Sequence, residues 1–460
     1  MQDRTQAFKV LRGATRAEVQ AAKRQDLEDS DDRTDTEALI ASGPHVTSNG
    51  PAAAEAAARR AIFAANRSLT MRRVPIRWWR SDAYALKEIL GNWVNVLLIA
   101  VPLGLTAGAL KWSAAYVFTL NFLALIPLAL VLGDVTEDLA LRYGSVVGGL
   151  INATFGNIVE IMLSIAALLN GLYGVVAASL LGSILSNLLL VTGCSFFFGG
   201  LFNKTQKFNA TGNQASGSLL FLAALGFLIP TGASLLFGGG RDGNAEEVVL
   251  GISRGTAVVL LLCYGCYLGF QLYTHTDLFE DGDDDGDDDE DECRVPLPGG
   301  GGGEAQQPML SLVTSLGLLT VITLLVAVAS EFLTSSLEEF SKSSGLGEAF
   351  LGTIVLPIAG NACEHMTAVI VATKNKMDLS MGVAVGSSIQ VALFAVPLAV
   401  VVGWATGHPF TLDFDPFSAL ALMLSVAQSN FVTAGATSHW LLGVQLIALY
   451  VLIALAYFFK

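Results

Sequence analysis

Charge is what this chain has least of. Lys, Arg, Asp and Glu make up 14% of its 460 residues, where an ordinary soluble domain carries about a quarter. Apolar residues fill 53% and the mean hydropathy is +0.57. That balance excludes a disordered or fibrous chain and points to a polytopic membrane protein. Cysteine is scarce as well. There are five, with no CxxC pair and no HExxH, so neither a disulfide framework nor a zinc ribbon is indicated. No early apolar run of the kind a secretory signal needs follows Met1. No basic face offers itself to nucleic acid. The formal charge of -14 comes from one place, since residues 277–292 hold twelve acids and no base, and outside them 28 acids meet 26 bases. Within that run Asp281, Asp283, Asp285, Gly286 and Glu292 match the EF-hand spacing. Asp288 fills the slot of an apolar residue, and a low-complexity Asp run meets such a pattern by chance. The segment reads as a solvated linker or a weak attractor of divalent cations.

What the chain does have is long apolar runs. Residues 1–50 mix both charges and read as a cytosolic tail. From Arg59 to Leu90 eight bases face only Asp82 and Glu88, with Trp78 and Trp79 just before the first apolar run. Bases and tryptophans beside a span fit an interfacial segment or a plain positive flank. Eleven stretches then reach the length needed to cross about 30 Å of hydrocarbon: 92–110, 112–132, 148–169, 172–200, 216–238, 246–273, 309–333, 348–373, 379–406, 416–436 and 440–459. The basic flank sets the N-terminus in the cytosol and, with it, the acid run.

Two motifs recur at one offset. GNIVE at 156–160 returns as GNACE at 360–364, and the GS pair at 182–183 returns at 386–387, both 204 residues on. Each copy lies second in a set of five spans. Five is odd, so the second set enters the membrane from the opposite face, which is the inverted repeat of many secondary transporters. The expected architecture is therefore all-α: an extra helix at 91–110, a first repeat at 111–274, a cytosolic acidic and Gly-rich linker at 275–308 and a second repeat at 309–460, after a cytosolic segment at 1–90.

The repeat preserves an acid. Glu160 and Glu364 lie inside apolar spans, where a carboxylate costs several kcal/mol or more unless it is paired, solvated or protonated. Asn157 shares a helix face with Glu160, and Asn361 with Glu364. In the following spans Ser183, Ser186 and Asn187 share a face, as do Ser387 and Gln390. Brought together, these residues make an all-oxygen site suited to a hard divalent cation such as Ca²⁺. Zinc or copper would ask for His or thiolate, and Met162, Met366 and Cys363 read as packing. The two carboxylates also hold protons, because burial without a cation disfavours their charge. An empty, doubly ionised pair is the expensive state, and the proton-loaded and Ca²⁺-loaded states are near neutral. Exclusive occupation with alternating access gives antiport. His365 reads equally as a proton relay or a satisfied buried histidine. Asp134, Glu137, Asp138, Glu331, Glu338 and Glu339 flank two of the spans. Glu137 and Glu338 are the candidate cation entrances among them, and the rest read as solvated helix ends.

These residues resemble the cation/proton exchangers, in particular the vacuolar Ca²⁺/H⁺ antiporters of fungi, plants and algae. GGLINATFGNIVE at 148–160, LLGSILSNLLLVTG at 180–193, VLPIAGNACEH at 355–365 and KMDLSMGVAVGSSIQVALF at 376–394 carry the likeness, which covers about residues 88–459. It departs at Ile158, Val159, Cys363 and His439. The resemblance implies that Glu160 and Glu364 bind the cation and exchange it for protons, with Asn157, Asn361, Ser183 and Gln390 in support. It implies no cofactor and no enzyme activity. The implied setting is the membrane of a vacuole or another acidic compartment, and the implied cargo is Ca²⁺, with Mn²⁺ or other divalent cations open. A Na⁺-coupled calcium exchanger of the same architecture, a passive cation channel and a membrane hydrolase are the rivals. A homo-oligomer stays open.

Overall fold

The computed structural model describes residues 78–237, 245–275 and 308–460. The N-terminal tail, most of the basic segment and the acid run lie outside them. The rest is almost entirely helical, within one compact unit, Ile76–Lys460.

Helix α1 (Trp78–Leu90) meets the first span at 92°. That span begins as a 3₁₀ turn, Trp93–Ile99, capped by Asn92, whose Oδ1 accepts from Val94 N at 3.2 Å, and continues as α2 (Ala100–Ala109). α1 therefore lies across the first span rather than along it. α3 (Ala114–Phe155) is hydrogen-bonded through residues 133–147, which the hydropathy alone leaves as a loop. It is not straight. A Cβ built on Gly148 would stand 2.6 Å from the Ala140 carbonyl oxygen, whereas eight residues of straight helix cover about 12 Å. The chain doubles back between them, and α4 (Ile158–Leu169) follows a break at Gly156–Asn157.

Next come α5 (Tyr173–Leu185), a π-helical turn (Ser186–Val191), α6 (Thr192–Phe202), α7 (Ala210–Phe237) and α8 (Ala245–Gly269). The second half opens with α9 (Leu312–Ser344). A helical turn and a π turn, Leu351–Val355, lead into α10 (Leu356–Gly360), which is bent by 60° against α11 (Ala362–Thr373). α12 (Met377–Gln390), a π turn (Val391–Ala395) and α13 (Val396–Thr406) form one span, followed by α14 (Pro416–Thr433) and α15 (Trp440–Phe459). Local chemistry marks the ends. Gly345 and Gly407 close α9 and α13 in the left-handed conformation that suits glycine, at φ 75° and 78°. Asp415 caps α14, with Pro416 in its first turn.

Among the described residues seven helices are long and apolar enough to cross a bilayer alone, and nine when each bent pair counts as one span. Two of the eleven expected spans fall short of that test. α4 has 12 residues and α14 has 18, about 18 and 27 Å of helix. Burial separates an inner from an outer layer. The spans Tyr173–Phe202 and Met377–Thr406 are 78% and 67% buried over their apolar windows, against 28% for those containing α8, α9 and α15. The inner spans carry the serines and amides of both motifs, and the outer ones turn leucines and phenylalanines to lipid.

Successive spans alternate direction, which sorts the connections onto two sides. The near side carries Leu90–Trp93, residues 203–209, 374–376 and 434–439. A two-residue pairing there, β1 (Gln206–Lys207) with β2 (Thr437–Ser438), ties the halves together. The far side carries Lys111, Asn170–Leu172, Ser344–Gly347 and residues 407–415.

Candidate functional site

Both copies of the repeated motif fall at helix breaks. Asn157 and Asn361 each stand just before a new helix, and neither side chain caps it. Glu160 and Glu364 consequently lie in the first turns of α4 and α11, where the helix dipole favours a negative charge. With the local caps left unused, both asparagines reach across to the other half.

The cross-contacts obey the 204-residue offset. Ser183 Oγ donates to Asn361 Oδ1 at 2.8 Å, and Ser387 Oγ donates to Asn157 Oδ1 at 3.3 Å. Asn361 Nδ2 also donates to the Ser183 carbonyl at 3.3 Å. Asn157 Nδ2 donates to Gln390 Oε1 at 2.5 Å, and Asn187 Nδ2 donates to Ser387 Oγ at 2.9 Å. The π turns after Leu185 and after Gln390 come at matching places in the two inner spans. Such turns recur at functional sites because the extra residue re-aims the side chains beside it.

The carboxylates stand out by what they lack. Glu160 is 6% exposed, and neither of its oxygens has a hydrogen-bond donor. The neighbouring Ser183 hydroxyl is given to Asn361 instead. Glu364 Oε2 is likewise buried without a partner, and Glu364 feels the charge of Glu160. Gly360 makes the approach of the halves possible, since a Cβ there would sit 2.9 Å from Glu160 Oε1. An uncompensated buried carboxylate is expensive, so these oxygens are where a cation or a proton belongs. Among the described residues no three His, Cys, Asp or Glu side chains converge. The donors that do converge are two carboxylates with amide and hydroxyl oxygens, a hard set.

A cavity of about 380 Å³ leads to this place. Glu364, Ser387 and Gln390 line its inner end, and Asp134, Glu137 and Cys363 its wall. Asn92, Asn209, Asn213, Gln271 and Asp378 line it at near-side helix ends and loops. On the far side α9 packs along α4, and Asn170 Nδ2 donates to Glu331 Oε1 at 3.1 Å across their contact.

Four expectations need correction or narrowing. Glu338 does not line the cavity. It is 57% exposed on α9 and pairs with Lys342 at 2.6 Å, one turn away on the same helix. Ser186 stays out of the amide–hydroxyl chain, because the Tyr450 phenol of α15 faces it. His365 does not line the cavity either, and its Nδ1 donates to the Asn361 carbonyl at 2.9 Å. Asp138 is a buried acceptor rather than a solvated helix end. Glu137 does line the cavity, with Oε1 buried and unpartnered. The periodicity missed the polar mouth formed by Asn209, Asn213, Gln271 and Asp378. Its only signal is polar side chains clustered at near-side helix ends.

The family model described as sodium/calcium exchanger protein matches residues 113–273 and 314–459. A Ca²⁺/H⁺ antiporter of Synechocystis sp. is 44% identical over 364 residues, 79% of this chain and 96% of that protein. The vacuolar calcium ion transporter of Schizosaccharomyces pombe is 38% identical over 371 residues, 81% and 86% of the two chains. Among solved structures, native YfkE superposes with a TM-score of 0.65 at 32% identity, covering 80% of this chain and all of that one.

Proposed function

Because this chain belongs to the sodium/calcium exchanger protein family, we propose that it is a secondary active antiporter. It moves Ca²⁺, with Mn²⁺ or other divalent cations as further candidates, out of the cytosol in exchange for H⁺ from an acidic compartment. The observation that carries this reading is that each half contributes buried carboxylate oxygen without a partner, Glu364 Oε2 at the inner end of a cavity lined by near-side chain ends and both oxygens of Glu160 beyond it, against Gly360.

The chemistry follows from charge. Two ionised glutamates without a counter-ion are costly in a buried site, and two protons or one Ca²⁺ remove most of that cost. Either load crosses, and both cannot bind at once. Asn157, Asn361, Ser183, Asn187, Ser387 and Gln390 supply neutral oxygens once their mutual hydrogen bonds turn toward the ion. Ser186 stands behind them, and His365 acts on Glu364 only through the Asn361 backbone. Asp134 and Glu137 draw cations into the near-side mouth. Proton coupling is favoured over sodium coupling because relatives at 38–44% identity carry the names Ca²⁺/H⁺ antiporter and vacuolar calcium ion transporter. Those names also favour a vacuolar membrane. The basic flank makes the near side cytosolic. We read α4 with the end of α3, and α14, as the two further spans of an inverted repeat at 111–274 and 309–460. The helix at 91–110 stands outside it, and the linker at 275–308 is cytosolic.

The test is ⁴⁵Ca²⁺ uptake into acid-loaded vesicles. Wild type takes up Ca²⁺, and uptake stops when the pH gradient is collapsed but not when Na⁺ is removed. Glu160→Gln and Glu364→Gln each abolish it. Retained pH-driven uptake in either variant defeats the mechanism, and dependence on Na⁺ would make the protein a sodium-coupled exchanger.

A further inference from the structure

Two buried acids outside the site are fully used. Asp82 on α1 and Asp138 on α3 are 5% and 4% exposed. Both close on the start of α9. Asp82 accepts from Ser311 N at 2.7 Å, Ser311 Oγ at 2.8 Å and Thr314 Oγ1 at 2.7 Å. Asp138 accepts from Met309 N at 2.5 Å, Leu310 N at 3.3 Å and Ser315 Oγ at 3.2 Å. The segment that leads into α9, Met309–Ser311, is thus held by two carboxylates from two other elements through charge-assisted hydrogen bonds, and Ser311 Oγ in turn caps the helix by accepting from Thr314 N at 3.3 Å. Arg142 lies 4.0 Å from Asp138. Burial works against charge on Asp82, but the Thr314 and Ser311 hydrogen bonds and the charge of Arg142 outweigh it and hold the carboxyl below its usual range.

We propose that Asp82 and Asp138 are positioning residues that pin the near-side end of α9, so that the flat helix α1 restrains the opening of the far-side pathway. The proposal rests on the antiport reading above. The near-side cavity runs between α3 and α11, lined by Asp134, Glu137, Cys363 and Glu364. The 204-residue offset turns that pair of elements into α9 and α4, which are packed together. A far-side path therefore opens only when α9 leaves α4. The clasp ties α9 to α3 and to α1, and α1 lies at 92° to the first span. Moving α9 then means dragging a surface helix or breaking charge-assisted hydrogen bonds. Of the acids in the basic flank, Asp82 is spent on this contact while Glu88 stays exposed.

The experiment compares Asp82→Ala, the double variant Ser311→Ala/Thr314→Val, their combination and Glu88→Gln in full-length protein in proteoliposomes. Two quantities are read: Ca²⁺ uptake, and the rate at which a charged, impermeant thiol reagent on the near side labels Cys363. Freed α9 favours the far-open state. Labelling should fall at least threefold in Asp82→Ala and in the serine–threonine variant, with no further fall when they are combined. The maximal uptake rate should change by threefold or more. Glu88→Gln should match wild type. Amide hydrogen exchange at Met309–Ser311 should quicken at least tenfold in Asp82→Ala, which checks the clasp itself. Unchanged labelling and uptake in a folded Asp82→Ala protein, or additive effects in the combination, overturn the proposal. If wild type itself shows no pH-driven uptake, the antiport reading fails, while the labelling and exchange still judge the clasp.

Discussion

The near and far sides of the site are built from related parts and are packed differently. On the near side a cavity that takes in Asp134, Glu137 and Glu364 opens beside α3 and α11, which touch at Gly133 and Cys363. On the far side their counterparts α9 and α4 are in contact, with Leu333 and Leu337 fully buried. The amides and hydroxyls that link the halves do not share this asymmetry. The Asn157–Ser387 and Asn361–Ser183 bonds are alike on both sides of the site. The centre is near-symmetric and the approaches are not. The asymmetry between the two sides is thus a matter of how α3, α4, α9 and α11 pack, and not of the amide–hydroxyl bonds between the halves.

The strongest way to break that comparison is at Gly360. Its missing side chain leaves room for Glu160, so Gly360→Ala should displace the carboxylate and cut pH-driven Ca²⁺ uptake at least tenfold, measured as initial rate at saturating Ca²⁺. Wild-type rates would mean that the two halves need not meet at this point. Next in size is the sidedness of Cys363. A charged thiol reagent applied on the near side should block transport in wild type and spare Cys363→Ser, and the same reagent sealed on the far side should act at least fivefold more slowly. Equal rates from both sides would remove the distinction between an open and a closed approach.

The serines offer a finer comparison. Ser387 serves both Asn157 and Asn187, whereas Ser183 serves Asn361 alone. Ser387→Ala leaves two buried partners unsatisfied, at about 1–3 kcal/mol for each orphaned group. It should raise the Ca²⁺ KM more than Ser183→Ala does, by roughly tenfold against threefold on that scale. The reverse order in side-by-side uptake assays would show that these hydrogen bonds do not set affinity.

The smallest expected effect lies far from the site. Asp415 caps α14 and accepts from Lys460 Nζ at 2.6 Å. Burial opposes its charge, but the hydrogen bonds from Lys460 and Ser418 win and hold the carboxyl below its usual range. A lowered folded value gives stability that is present above about pH 4 and lost as pH falls through the folded value. Asp415→Asn should destabilise the protein slightly near pH 7, by less than about 1 kcal/mol because the pair is partly exposed, read as a small drop in melting temperature in detergent. The gap should close below pH 4, and a gap that widened there would contradict the assignment.

Much of this protein is legible in one dimension. A buried carboxylate repeated at one offset inside apolar runs is costly, so Glu160 and Glu364 are visible without coordinates. Helical spacing puts Asn157 beside one and Asn361 beside the other. What local spacing does not carry is partner choice. Asn157 finds Gln390 and Ser387 more than 200 residues away, and Ser186 shares a helical face with Asn187 yet ends beside Tyr450. Residues 133–147 are polar enough to pass for a loop because Asp134, Glu137 and Asp138 interrupt the hydropathy. They stay helical because Asp138 has the segment before α9 to hold and the other two face the cavity. Glu338 reads like Asp134 in sequence, but Lys342 one turn on takes its charge.

The amino-acid order alone determined that this is a many-span helical membrane protein with an acid, an amide and a hydroxyl repeated in each half, since the cost of burying charge in hydrocarbon is fixed by composition and run length. Only the tertiary structure decided which amide meets which hydroxyl, which approach to the carboxylates is open, and that Asp82 and Asp138 are spent on α9. Those outcomes depend on contacts between segments far apart in the chain, whose free energy exists only once the helices are packed.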